Sequence, residues 1–366
     1  MLLASAVISG DPVAAASAVE LVHASDDVPG LRRSRRGKGF RYLDARGKPV
    51  RDAATLARIR ALAVPPAWSD VWIAADADGH IQATGRDAKG RKQYRYHAKW
   101  RVVRDEAKYH RLVAFCAALP ALRASVERDL ARPGLSKQKV VATIVSLMER
   151  AQLRVGNDEY ARHNGSYGAT TLRDRHAKIH GDTLELAYRG KSGVPRNIEV
   201  TDRRLARIVR RCRDLPGQRL FQYVDGDDIK PITSNDVNDY IHAITGGPFS
   251  AKDYRTWAAT LGAALLLCAL DHPGTQRGVQ RCIKQVLDAV STKLGHTPAV
   301  CRSSYIHPRV LEDFAQNRLA PQLAKQLRRR VGDVEVAPET IEVETLRAIE
   351  PVVARYLDKQ PRRRHA

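Results

Sequence analysis

Hydrophobic periodicity switches from strand-like to mainly helical near residue 98, and that switch constrains the fold more than any other feature. Before it, apolar residues alternate. In "DVWIAADADGHIQATG", Val71 and Ile73 precede a turn-like "DADG", and His80 and Ile81 follow it. A period of two broken by Gly and Asp predicts a β-hairpin. Gly37, Gly39 and Gly47 punctuate the basic segment ahead of it. Beyond residue 98 the period becomes helical. "SKQKVVATIVSLMERAQLR" sets Val140, Ile144, Leu147, Met148 and Ala151 on one face, with Ser136 as the N-cap. "VQRCIKQVLDAVSTKLG" repeats the pattern through Val279, Ile283, Val286, Leu287, Val290 and Leu294, and Gly295 is its expected C-terminal stop.

The expected fold class is therefore α+β. A small strand-rich domain over 29–110 precedes a mainly helical domain over 111–366, which ends in the basic tail "PRRRHA". One β interruption is expected in the helical part. In "HAKIHGDTLELAYRGKSGVPRNIEV" the glycines divide three alternating runs, which predicts a three-stranded antiparallel meander. Residues 1–28 are expected to be a mobile extension. They lack a basic n-region and Asp11-Pro12 interrupts their apolar run, which argues against a signal peptide.

Charge then narrows the function. The chain has 366 residues and carries 62 Lys+Arg against 40 Asp+Glu, a formal net charge of +22. Such self-repulsion points to a polyanionic partner, with nucleic acid ahead of a membrane surface. The longest apolar run, Ala258–Leu270, is too short to cross a bilayer. Five scattered cysteines without a C-x-x-C pair argue against a zinc site and a disulfide framework, and for the cytoplasm. Within Gly85–Arg111, Arg86, Arg91, Lys92 and Arg95 alternate with Tyr94 and Tyr96, and Trp100 and Tyr109 follow. Cations at that density neutralise phosphates, and rings among them pack on sugars or bases. The bland alternative is a solvated strand and helix.

"RGKSG", Arg189–Gly193, resembles a P-loop only in part. The required first Gly is Glu185 here, so no nucleotide cradle is expected. Lys191 remains as a lysine on a β-turn. Arg154 closes one amphipathic helix. Lys252 and Arg255 open another, three residues apart, and can share its face. His296 and Tyr305 stand nine residues apart in "GHTPAVCRSSY". Each residue alone has a structural explanation. Together they supply a nucleophile and the cations that phosphoryl transfer needs where no metal neutralises the phosphate.

These motifs, "RVGNDEY", "GKSG", "KDYRT" and "GHTPAVCRSSY", resemble in order and spacing the type IB DNA topoisomerases of the compact, poxvirus-like bacterial kind. "PPAWSDVWI" and "GHIQATGRDAKGRKQYRYH" extend the resemblance to about residues 30–325. It implies Tyr305 as nucleophile, Arg154, Arg255 and His296 on the non-bridging oxygens, and Lys191 as general acid. Lys252 and Tyr160 match positions near DNA. It also implies a nucleoid-associated monomer clamped around duplex DNA, using neither ATP nor an obligatory metal or other cofactor. Asn157, Asp158 and Glu159 replace basic residues of the viral members, so the viral sequence preference does not carry over. A tyrosine recombinase shares the same residue set, but usually begins with a helical domain where this chain is strand-rich. A DNA-packaging protein would need only the charge. Cys301, beside Val300, is better explained by packing than as a rival nucleophile.

Overall fold

The computed structural model describes residues 12–37 and 39–359, so the basic tail and the first part of the expected extension lie outside the described residues. The chain divides into two compact units, one running to Arg111 and the other starting at Leu112.

The first unit is a five-stranded antiparallel sheet made of β1 (Leu31–Arg36), β2 (Gly39–Leu43), β3 (Ser69–Ile73), β4 (Ile81–Arg86) and β5 (Lys92–Tyr96), in the order β2-β1-β3-β4-β5. The predicted hairpin is the β3–β4 pair. Alternation gives the sheet two faces. One buries Leu31, Val71, Ile73 and Ala83 against Ile59 of the helix Ala53–Ala61. That helix is capped by Asp52, which accepts from Thr55 N–H at 2.7 Å.

The other face of the same sheet carries the surprise. Residues 12–28, expected to be mobile, pack on it. The short helix α1 (Pro12–Ser17) and the segment after it bury Ala16 and Leu21 with Trp100. Val22 bridges to Gly79, His23 stacks on His80 at 4.6 Å, and Asp26 accepts from Thr84 at 2.9 Å. Trp72 Nε1 donates to the Val28 carbonyl at 3.0 Å. The partners lie more than forty residues away in sequence, so local composition could not show them. Trp100 and Tyr109, read as DNA-facing rings, are also buried.

The second unit is mostly helical. The helix α3 (Ala98–Leu130), which begins in the first unit, continues through Pro120. The apolar stripe Leu112, Phe115, Leu119, Leu122, Val126 and Leu130 is buried throughout, and that packing outweighs the hydrogen bond the proline removes. The helices α4 (Lys137–Ala151) and α5 (Asp158–Asn164) follow. Next comes the predicted antiparallel meander of β6 (Ala177–His180), β7 (Thr183–Arg189) and β8 (Pro195–Thr201). A second hairpin, Gln222–Asp225 with Asp228–Pro231, was not foreseen. Its four-residue strands are too short to show a period, and only the turn residues Asp225-Gly226 betray it.

The helix α8 (Ala251–Cys268) is buried on nearly every side, as its apolar run predicts. It packs against α4, α9 (Gln276–Leu294) and α13 (Val343–Asp358). A charged girdle ties these elements. Arg123 of α3 donates to Glu149 of α4 at 2.7 Å and to both carboxylate oxygens of Glu350 of α13 at 2.8 and 2.7 Å. Trp257 of α8 donates to Glu350 at 3.2 Å. Buried ions are tolerated when every one is paired, and here each is. No helix among the described residues is long and apolar enough to cross a membrane.

Candidate active site

The C-terminal end of α9 is the hub of the site. The last carbonyls of a helix lack partners within it, and here three arginines from elsewhere take them. Arg196 of β8 donates to Thr292 O at 3.1 Å and Lys293 O at 2.8 Å. Arg255 of α8 donates to Leu294 O at 2.7 Å, and Arg154 donates to Gly295 O at 2.9 Å. The helix dipole adds to this attraction for cations.

Each side chain is held from its own side. Gln152 ends α4 in the left-handed region, at φ 54°. The chain through Arg154 then lies on the turn Ala169–Thr171, whose N–H groups donate to Arg154 O at 2.8 Å and Val155 O at 2.7 Å. Gly156 and Gly168 permit this approach, since a Cβ on Gly168 would stand 2.6 Å from Gly156 N. Arg255 is only 3% exposed and also donates to the Gln152 carbonyl. His296 follows Gly295, which closes α9 at φ 63° as predicted, and the His296 N–H donates to Ser291 O at 2.9 Å.

Thr297 then caps the short helix α10 (Pro298–Ser304), with Pro298 at its first turn. Tyr305 ends that helix, half-buried. Its carbonyl lies 3.3 Å from Thr260 Oγ1, whose single proton is shared with the Thr256 carbonyl at 2.9 Å, and Thr260 accepts in turn from His307 N–H at 3.1 Å. The Tyr305 ring lies 4.4 Å from the His296 ring and 5.6 Å from the Arg255 guanidinium. Arg154 Nη2 approaches both His296 ring nitrogens, at 3.2 and 3.0 Å.

The electrostatics are unusual. Among the described residues no carboxylate forms a salt bridge with Arg154, Arg196 or Arg255. Burial and the neighbouring Arg154 lower the Arg255 pKa to about 10. Arg154 is also lowered, again chiefly by burial. Burial, then Arg154, Arg255, Lys191 and Arg196, push His296 down to about 3, so its imidazole is neutral. Arg123 makes the contrast. It is also largely buried, yet its partners Glu350 and Glu149 hold its pKa up against the desolvation that lowers it. A cluster of desolvated cations with no internal counter-ion is built to receive an anion.

The structure thus brings together Arg154, Arg255, His296 and Tyr305. Lys191 stands exposed on the turn Lys191–Gly193 at the tip of the meander, near enough for its charge to act on His296. Lys252 does not join them: it stays exposed on the first turn of α8, with no side-chain hydrogen bond or ion pair to the set. Tyr160 is exposed on α5. Cys301 is fully buried and burial pushes its thiol up to about 12, which removes it as a rival nucleophile. Arg196, Thr260 and the Gln152 carbonyl were missed in the sequence, where only the tertiary fold gives them meaning.

On the first unit, Lys92, Tyr94 and Tyr96 share a face of β5, and the two tyrosine rings stack at 5.8 Å. Lys92 is paired with Asp26 at 2.8 Å, and Arg86 lies 3.9 Å from Asp70. Arg91 is paired with Asp87. Arg95 points to the opposite face, where it donates to Ala63 O at 2.9 Å and lies over Trp68. The charge run is thus not one patch.

Comparison with known proteins fixes the class. Residues 97–330 match the family model of the catalytic core of eukaryotic DNA topoisomerase I. Residues 39–87 match that of the N-terminal domain of bacterial DNA topoisomerase IB. DNA topoisomerase 1B of Acanthamoeba polyphaga mimivirus is 32% identical over 296 residues, which cover 79% of this chain and 88% of the relative. DNA topoisomerase 1B of Vaccinia virus (strain Copenhagen) is 23% identical over 238 residues, covering 62% and 70%. The chain belongs to the type IB DNA topoisomerases.

The depressed His296 gives a prediction on stability. Because its folded pKa lies below the ordinary 6.5, the unfolded chain gains a proton there as pH falls from about 7 to about 5, while the folded chain does not. Stability starts to be lost over that window and goes on falling until the pH reaches the folded value of about 3. A His296→Gln variant lacks this loss, so acidification should move the melting-temperature difference against the wild type. Melts at both pH values check it, and a difference that does not change with pH would refute it.

Proposed function

We propose that this enzyme relaxes supercoiled DNA through a transient single-strand break carried on Tyr305. The observation that carries the reading is the contrast just described: Arg123 is buried with two carboxylates, whereas Arg255 is buried beside a phenol with none. Arg255 Nε is also buried without a hydrogen-bond partner. A DNA phosphodiester brought to Tyr305 supplies the missing anion.

In the proposed reaction the Tyr305 phenol oxygen attacks phosphorus in line. The new bond makes a 3′-phosphotyrosyl enzyme as the bond to the 5′-oxygen breaks. Arg154, Arg255 and neutral His296 donate to the non-bridging oxygens, where charge develops in the transition state. Lys191 gives a proton to the leaving 5′-oxygen, with Arg154 alongside. The phenol gives up its own proton as it attacks. No carboxylate stands in the set, and His296 is too weak a base, which leaves solvent as the acceptor. The covalent bond conserves the phosphodiester energy, so the strand rotates and is resealed by the reverse steps. The 5′-hydroxyl attacks phosphorus, and the phenolate leaves.

No step calls on nucleotide or on a divalent ion. Purified enzyme should therefore relax both positively and negatively supercoiled plasmid with EDTA present and ATP absent. Relaxation that depends absolutely on ATP or on a divalent ion would end this reading.

A further inference from the structure

Arg196 has no part in the reaction just proposed, yet it occupies a junction. It pairs across the meander with Tyr188 of β7, and its side chain leaves the sheet for the end of α9. Two glycines enclose it. A Cβ on Gly190 would meet Arg196 Cγ at 3.2 Å, and one on Gly295 would meet Arg196 Nη1 at 2.6 Å. Gly190 immediately precedes Lys191, and Gly295 immediately precedes His296. Arg196 thus spans the gap between the turn that carries the proposed acid and the turn that carries the oxyanion donor.

The other members of the set are anchored without it. Arg154 is fixed on Gly295 O, Arg255 on Leu294 O and Gln152 O, and His296 through its backbone on Ser291 O. Lys191 is carried by the meander. It sits exposed on a turn whose next residue, Ser192, adopts φ 64°. A bidentate arginine on two helix-end carbonyls is a rigid tie, because the planar guanidinium fixes direction as well as distance.

We propose that Arg196 is a positioning residue that pins the Lys191 turn to the end of α9, and so sets the acid against the leaving 5′-oxygen. The proposal rests on the reading of Lys191 as general acid. It predicts a selective defect. Without Arg196 the oxyanion donors keep their anchors and only proton delivery suffers.

The test compares single-turnover cleavage of two DNA oligonucleotides, one normal and one with sulfur as the bridging 5′-atom. A thiolate leaves without protonation, because thiols are far more acidic than alcohols. Wild type, Arg196→Ala, Arg196→Gln and Lys191→Ala are measured on both. Lys191→Ala should slow normal cleavage by about 10²–10⁴-fold and be largely rescued by sulfur. The Arg196 variants should lose about 10–10²-fold on normal DNA, a part of the same contribution, and approach wild type on the sulfur substrate. Equal loss on both substrates, the signature of a merely structural defect, overturns the proposal. So do wild-type rates on both. If sulfur rescues Lys191→Ala but not the Arg196 variants, the acid stands and the positioning role falls. If sulfur fails to rescue Lys191→Ala, the acid role itself falls and takes this proposal with it.

Discussion

Replacing Tyr305 with Phe should abolish plasmid relaxation and covalent capture of DNA, while noncovalent DNA affinity stays near wild type. The substitution keeps the ring that packs on His296 and lies near Arg255. It also keeps the backbone contacts that hold the residue, since Thr260 binds the Tyr305 carbonyl rather than its side chain. Only the phenol oxygen goes. If Tyr305 served packing alone, losing one hydrogen bond would cost about 1 kcal/mol and activity would survive. A nucleophile cannot be replaced so cheaply, because no covalent intermediate forms without its oxygen. The measurement is denaturing-gel capture on labelled DNA followed by peptide mapping. An adduct on another residue, or an active Tyr305→Phe enzyme, sinks the assignment.

Parts of this site were legible because their chemistry is local. Gly295 stops one helix, Thr297-Pro298 starts the next, and the nine residues between His296 and Tyr305 span that corner. Arg255 stood out near the start of a helix, whereas Arg154 was read as closing one and in fact lies beyond it, because α4 stops at Ala151 and Gln152 turns the chain away in the left-handed region. What stayed hidden depends on contacts made through the backbone of distant elements. Arg196 matters because four carbonyls meet at the end of α9, and no residue pattern announces where carbonyls will converge. Thr260 is similar: its hydroxyl reads as one more small residue in a buried helix until Tyr305 arrives beside it. Arg95 was a different error. It lies between Tyr94 and Tyr96, and strand alternation alone places it on the opposite face, so the charge run was read with too little weight on period two. The segment 12–28 failed for a third reason. Its small residues carry no period, and its partners Trp72, His80 and Trp100 are supplied by the sheet and by α3.

Arg255→Ala should be the most damaging change after Tyr305→Phe, for two separable reasons. Losing one donor to the developing charge costs about 10²–10³-fold in the chemical step. The carbonyls of Gln152 and Leu294 also lose their partner inside the fold, at about 1–3 kcal/mol for each group left unsatisfied. Melting temperature should fall with activity, by roughly 2–4 °C for each kcal/mol in a domain of this size. Arg255→Lys separates the two effects. An ammonium keeps the charge and can satisfy one carbonyl, but it cannot reach Gln152, Leu294 and a phosphate oxygen at once as the guanidinium fork does. The lysine variant should therefore recover part of the lost stability while its single-turnover cleavage rate stays at least about tenfold below wild type. The charge itself is not in question near neutrality, since even the depressed pKa of about 10 leaves Arg255 protonated. What the site supplies is a desolvated cation whose counter-ion arrives only with the substrate, and a fully active Arg255→Lys enzyme would show that the charge alone suffices.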